Sequence, residues 1–213
     1  MKEEIYLYFI GTAGSGKSTL TNIFKQWMTN QALDAITVNL DPGAENLPYS
    51  PDIDIRDWIS LKEVMKEYNL GPNGAQIACA DMLALNTSEI KENIETFKSE
   101  YILIDTPGQL ELFVFREAGK YIIEFLNPSH SMIAYLIDPN LSKTASGFVS
   151  QMLLALNTSF RLEKPQVNIL SKSDMLSEKQ LNLLLKWSED PDILQESLLS
   201  EQASIYQDMN NGI

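Results

Sequence analysis

Five short apolar runs punctuate the chain, at Glu4–Ile10, Ala35–Leu40, Tyr101–Asp105, Ser131–Asp138 and Gln166–Leu170. Each has strand length and little polar alternation, as expected of strands covered on both faces. Between and after them lie segments with helical patterning, predicted at about Lys17–Asn30, Ile59–Tyr68, Ala75–Leu85, Ser88–Lys98, Arg116–Phe125, Leu141–Phe160 and Ser177–Trp187. Strands alternating with helices predict an α/β fold, a mostly parallel sheet between helical layers. The stretch 42–100 is too long for a simple crossover and is read as a helical insertion. After Asp174 no strand-like run follows, and Ser188–Asn211 reads as an acidic, solvated helical face. The expectation is therefore one domain over 1–213 in which a last strand and helix are absent.

Parallel sheets of this kind bind ligands beyond the carboxyl ends of their strands, so the residues after each run carry the functional information. Gly11 to Thr19, GTAGSGKST, follow the first run and open the first helix. Gly11, Gly16, Lys17 and Ser18 fit G-x-x-x-x-G-K-[ST], the phosphate-binding P-loop, in the context that the pattern requires. Glycine lets the backbone wrap phosphate oxygens, with inward N–H groups at a helix N-terminus. Lys17 is expected to reach the β/γ-phosphates and the Ser18 hydroxyl to bind Mg²⁺. Ordinary residue usage would produce this pattern by chance in roughly one chain in a hundred.

Asp41, before Pro42-Gly43, ends the second run, and Asp105-Thr106-Pro107-Gly108-Gln109-Leu110-Glu111 ends the third. Asp41 either starts a turn or holds water near a γ-phosphate. Asp105 is placed to bind Mg²⁺, and the Gly108 N–H to donate to the γ-phosphate only while it is present. Gln109 and Glu111 lie where an amide and a carboxylate could align an attacking water. Ser171-Lys172-Ser173-Asp174 follows the fifth run. In x-K-x-D a carboxylate accepts from guanine N1–H and the exocyclic amine, while the lysine stem covers the ring. Adenine offers neither donor and would leave a buried carboxylate unpaired, at a cost of roughly 1–3 kcal/mol.

Composition narrows the field. With 213 residues the chain can bury a substantial core, and its net charge of -13 argues against non-specific binding to nucleic acid. One cysteine, Cys79, allows no internal disulfide and suits core packing, and one histidine, His130, rules out paired-histidine metal sites. The first apolar run is too short for a membrane span and shows no signal-peptide cleavage pattern, so a cytoplasmic protein is expected.

The four strand-end pieces resemble the motifs of GTPases. With Asp54-Ile55-Arg56-Asp57 and LGPNGA at 70–75 they resemble one family, the GPN-loop GTPases, over about Ile5 to Asp174. The resemblance implies a three-layer P-loop NTPase fold and a homodimer facing itself across two nucleotides. It also implies Mg²⁺-dependent hydrolysis of GTP to GDP, and a switch acting on protein clients in complex assembly. It places Gly14, Ser15, Gly16, Lys17, Ser18 and Thr19 on the phosphates, and Ser18 and Asp105 with the metal. Asp41, Gln109 and Glu111 fall around the attacking water, and Lys172 and Asp174 on guanine. Asn73, held at the tip of a rigid Pro72–Gly74 loop, reaches the partner's phosphate site. Two departures are visible: Ser171 stands where GTPases often have asparagine, and no later guanine-contacting Ser-Ala-Lys loop appears.

A P-loop by itself also suits a small-molecule or nucleotide kinase, and a nucleotide-dependent scaffold without turnover fits the same motifs. Leu112–Phe115 and Tyr121–Ile123 read as core or dimer interface, or else as a nucleotide-gated groove for a partner peptide.

Overall fold

A computed structural model describes residues 4–211. Six parallel strands form one sheet, β1 (Ile5–Gly11), β2 (Ala35–Asn39), β3 (Ile53–Asp54), β4 (Tyr101–Asp105), β5 (Ser131–Ile137) and β6 (Gln166–Leu170), in the order β3-β2-β4-β1-β5-β6. Pleating sends alternate side chains to opposite faces. Leu7, Phe9, Leu103, Ala134 and Leu136 meet α1 (Lys17–Asn30) through Leu20, Phe24 and Met28. Tyr6, Tyr8, Ile10, Val38, Ile102, Ile104, Ile133 and Tyr135 face the larger cluster on the other side. Packed there are α2 (Leu61–Glu67), α3 (Pro72–Leu85), α4 (Thr87–Phe97), α5 (Leu110–Phe113), α6 (Glu117–Leu126) and α7 (Ala145–Leu162). The central strands are buried on both faces, which explains their continuous apolar runs.

The five predicted strands are present, and four features of the expectation change. The insertion holds a short strand, β3, whose two residues are too few to leave a sequence pattern. LGPNGA is not a free turn. Pro72 is the first residue of α3 and Gly71 its N-cap, so Asn73 and Gly74 lie in the first helical turn. Proline at that position loses no hydrogen bond and has its φ already set for the helix. The helix predicted from Leu141 starts at Ala145, where the Thr144 hydroxyl accepts the Gly147 N–H. Finally, the acidic end forms α8 (Glu178–Glu189) and α9 (Pro191–Asn211), whose Leu184, Trp187, Ile193, Leu194 and Leu198 pack with Phe148 of α7. It is therefore only partly a solvated face.

Of the two apolar runs, Phe113, Val114, Ile122 and Ile123 are buried, and Tyr121 is exposed. Cys79 is fully buried, as its packing role predicts. Among the described residues no helix is long and apolar enough to cross a membrane.

Candidate functional site

The register sets Phe9 and Asn39 on either side of Asp105, so β1, β2 and β4 end side by side. The Thr106 hydroxyl donates to Phe9 O at 2.7 Å and pins the segment after β4 to the strand that feeds the P-loop. Gly14 and Gly16 have φ of 75° and 98°, a left-handed backbone that glycine adopts without steric cost. The loop then turns into α1, whose first N–H groups lack partners within the helix. Lys17 is buried, and its Nζ donates to Gly11 O and Thr12 O, at 3.0 Å each. Burial pushes its ammonium pKa down, against the opposing pull of Asp105 and Asp41.

Asp105 is 1% exposed. Its Oδ2 accepts the Tyr49 hydroxyl at 3.0 Å, and its Oδ1 is buried without a hydrogen-bond partner. Burial pushes its carboxyl pKa up, with the neighbouring Ser18 hydroxyl, Tyr49 and Lys17 acting in the opposite direction. Two further buried oxygens without partners, Thr12 Oγ1 and Ser15 Oγ, belong to the P-loop. Buried polar atoms of this kind normally have partners. An orphaned carboxylate oxygen beside a serine hydroxyl fits Mg²⁺, which takes one or two protein oxygens and completes its shell with water and phosphate.

Asp41 lies across the cleft. Its Oδ1 accepts the Gly43 N–H at 2.8 Å and its Oδ2 accepts the Gly108 N–H at 3.3 Å. Asn39 holds its backbone: Oδ1 accepts the Asp41 N–H at 3.1 Å, and Nδ2 donates to Asp54 Oδ1 at 2.9 Å. Asp54 is paired with Arg56, whose Nε lies 2.9 and 3.0 Å from the two carboxylate oxygens and whose second arm reaches Ala44 O at 2.8 Å. The sequence singled out Asp54–Asp57 but did not reveal this brace.

A cleft of about 620 Å³ is lined by Ala13, Gly14, Gly16, Lys17, Ser18, Thr19, Asp41, Thr106, Gly108 and Lys172. A smaller cavity of about 190 Å³ shares Ala13, Asp41 and Gly108 with it and adds Gln76 and Gln109. Gln109 Nε2 donates to Gln76 Oε1 at 2.8 Å, joining the segment after β4 to α3. At the far end of the cleft the Lys172 ammonium donates to Gly14 O and lies 4.0 Å from Asp138 Oδ2. Asp138, just after β5, is a buried carboxylate beside Lys172 that sequence reading did not single out as a site residue. Gly11 is tightly packed, since a Cβ there would lie 2.7 Å from Leu136 O and from Ser15 Oγ.

Six of the residues proposed from sequence do not line these cavities: Gly11, Ser15 and Asp105, which are buried, and three that are exposed. Glu111 is exposed on α5, Asn73 is exposed and its side chain makes no hydrogen bond among the described residues, and Asp174 is exposed in the turn after β6. A desolvated contact from Asp174 to a base thus requires the base itself to cover the carboxylate.

The profile of a family described as "Conserved hypothetical ATP binding protein" matches residues 9–213. "GPN-loop GTPase PAB0955" of Pyrococcus abyssi is 38% identical over 188 residues, which is 87% of this chain and 74% of that protein. This chain belongs to the GPN-loop GTPase family. The crystal structure of that archaeal GTPase in its apo form superposes with a TM-score of 0.82, over 91% of this chain and 77% of the other, at 36% identity. The fold is accordingly that of a P-loop NTPase, with a six-stranded parallel sheet flanked by helices. "GPN-loop GTPase 3" of Debaryomyces hansenii is 38% identical over 211 residues, 96% of this chain and 76% of that protein. "GPN-loop GTPase 1" of Dictyostelium discoideum is 32% identical over 203 residues, 94% of this chain. The chain spans only 50% of that last relative's length.

Proposed function

We propose that this GPN-loop family member is a cytoplasmic Mg²⁺-dependent GTPase that works as a slow homodimeric switch, with protein clients in complex assembly. The observation that carries the reading is that Lys17, Ser18, Asp41 and Gly108 line one cleft, with the buried Asp105 carboxylate next to Ser18 and Lys17. The P-loop amides of Gly14 to Thr19 and the Lys17 ammonium take the phosphates, and Ser18 with Asp105 holds Mg²⁺. The chemistry that a bound Mg²⁺ supplies is neutralisation of charge across the β- and γ-phosphates.

Phosphoryl transfer depends mainly on positioning and electrostatics. Asp41 brings a carboxylate to the cleft, held there by the Gly43 and Gly108 amides. It is suited to holding an attacking water rather than to removing its proton early. Gln109 opens onto the same small cavity as Asp41 and orients that water, with Glu111 supporting it from the neighbouring turn. Asn73, exposed and outside the lining of its own cleft, reaches the partner's phosphates in the dimer. An amide brings no positive charge, so it positions oxygens but stabilises charge weakly, which accounts for slow turnover. Lys172 and Asp174 read guanine.

The test is to titrate GTP, GDP and ATP in the presence of Mg²⁺ while recording mass and phosphate release. Dimerisation with GTP and release of phosphate without an acceptor support the reading. Phosphorylation of an added acceptor makes the protein a kinase, and tight GTP binding with no release above background makes it a scaffold.

A further inference from the structure

Asp105 is the only carboxylate that the proposed Mg²⁺ site uses, and burial alone does not orient it. A carboxylate turns about its last bond, and either oxygen can face the cleft. Here Oδ2 is engaged by the Tyr49 hydroxyl at 3.0 Å, and Oδ1 is left buried without a partner. Tyr49 lies 56 positions earlier in the chain, on the stretch between β2 and β3. That stretch lines the nucleotide cleft through Asn46, Leu47 and Pro48. It is anchored on both sides of the tyrosine. Asn22 of α1 donates to Pro48 O at 3.0 Å, and Asp52 accepts the Thr37 N–H at 2.7 Å and hydroxyl at 2.9 Å. The Lys25 ammonium holds the same carboxylate of Asp52.

We propose that Tyr49 is the positioning residue of the metal site: its hydroxyl occupies Asp105 Oδ2 so that Oδ1 alone is presented to the cation and its water shell. The inference rests on the Mg²⁺-dependent reading above. A hydroxyl suits this role because it donates one hydrogen bond and carries no charge that would compete with the cation. Outer partners of this kind fix the direction of a ligating carboxylate, and their loss typically costs about 10–100-fold in metal affinity. The arrangement also ties the stretch that covers the nucleotide to the metal ligand, so that metal binding and closure of this stretch support each other.

The experiment compares wild-type protein with Tyr49→Phe, which keeps the ring and removes only the donor. Binding of a slowly hydrolysed GTP analogue is measured by calorimetry across a Mg²⁺ series and in EDTA, with thermal melts of each protein. The expected result is a rise of about 10–100-fold in the Mg²⁺ concentration needed to support binding, with affinity in EDTA unchanged. In an Asp105→Asn background, Tyr49→Phe then shifts the Mg²⁺ requirement no further. An unchanged or lower Mg²⁺ requirement in Tyr49→Phe overturns the proposal. So does an equal loss of affinity with and without Mg²⁺, which would mean that the tyrosine only shapes the loop. If the wild-type protein itself binds the analogue independently of Mg²⁺, the functional reading fails together with this inference.

Discussion

Gly108 donates its backbone N–H to Asp41 Oδ2 over 3.3 Å, across 67 positions of sequence. The amide expected to sense a γ-phosphate is thus held by a carboxylate, and the carboxylate expected to hold water is held by that amide. A γ-phosphate taking the Gly108 N–H would free Asp41 for the water, so that one exchange of partners prepares both groups.

Asp41→Ala should therefore lower kcat without weakening GTP binding, because it removes the carboxylate that competes for Gly108. Loss of a well-aimed transition-state group typically costs about 10²–10³ in rate. Gln109→Ala should behave similarly. Single-turnover hydrolysis beside equilibrium binding checks both variants, and a loss confined to affinity would reassign the residue to ground-state contacts.

Asn73 offers the cleanest separation of function from stability. It is exposed in the first turn of α3, and its side chain has no hydrogen bond among the described residues, so Asn73→Ala should change folding stability by less than about 0.5 kcal/mol. In a dimer verified by mass, hydrolysis should nevertheless fall by about 10²-fold or more. Mixing Asn73→Ala with Lys17→Ala subunits sharpens the test. A site with wild-type Lys17 then faces a wild-type Asn73 across the interface, and part of the activity should return. Unchanged hydrolysis in the verified Asn73→Ala dimer would remove its role in trans.

Much of the site was legible because each piece is local. The P-loop, the Asp105–Glu111 segment and the Ser171–Asp174 turn are continuous stretches; the first two follow strands whose two-sided burial leaves an apolar run, and the third follows the half-exposed edge strand β6. What stayed hidden depends on contacts between distant positions. The Tyr49 hydroxyl on Asp105, the hold of Asn39 on Asp54 and the packing of Asp138 beside Lys172 have no local pattern. The helical state of LGPNGA could have been read from proline at the first helical position. Glycine two residues later disfavours helix and pointed the other way.

Asp54 links the acid limb of stability to the site. Burial alone would raise its carboxyl pKa, but hydrogen bonds from Arg56 and Asn39 overcome this and hold it below the usual carboxylate range. A depressed folded value means that the stabilisation is complete above the unfolded pKa of ~3.9 and is lost as pH falls through the folded value. Asp54→Asn should cost roughly 1.5–3 kcal/mol at neutral pH, the scale of hydrogen bonds to a charged group. The gap to wild type should close on acidification below about pH 4. Urea denaturation at a series of pH values measures it, and a gap that persists in acid would count against the ion pair as its source.

Gly119 of α6 sits against the end of α5, where an added Cβ would lie 1.8 Å from Phe113 O and 2.8 Å from Phe113 C. Backbone atoms cannot swing aside as a flexible side chain does, so Gly119→Ala must move α6 away from Phe113. That residue is 1% exposed, and its ring lies 6.4 Å from Tyr8. Overpacking of this kind costs about 1–3 kcal/mol, which chemical denaturation would read as a lower midpoint. Phe113 closes the segment that begins at Gly108, so the displacement should also reach the Asp41–Gly108 contact. Hydrolysis should slow even under conditions where the variant remains fully folded. A variant that loses stability but hydrolyses GTP at the wild-type rate would show that α6 supports the core without fixing the segment that carries Gly108 and Gln109.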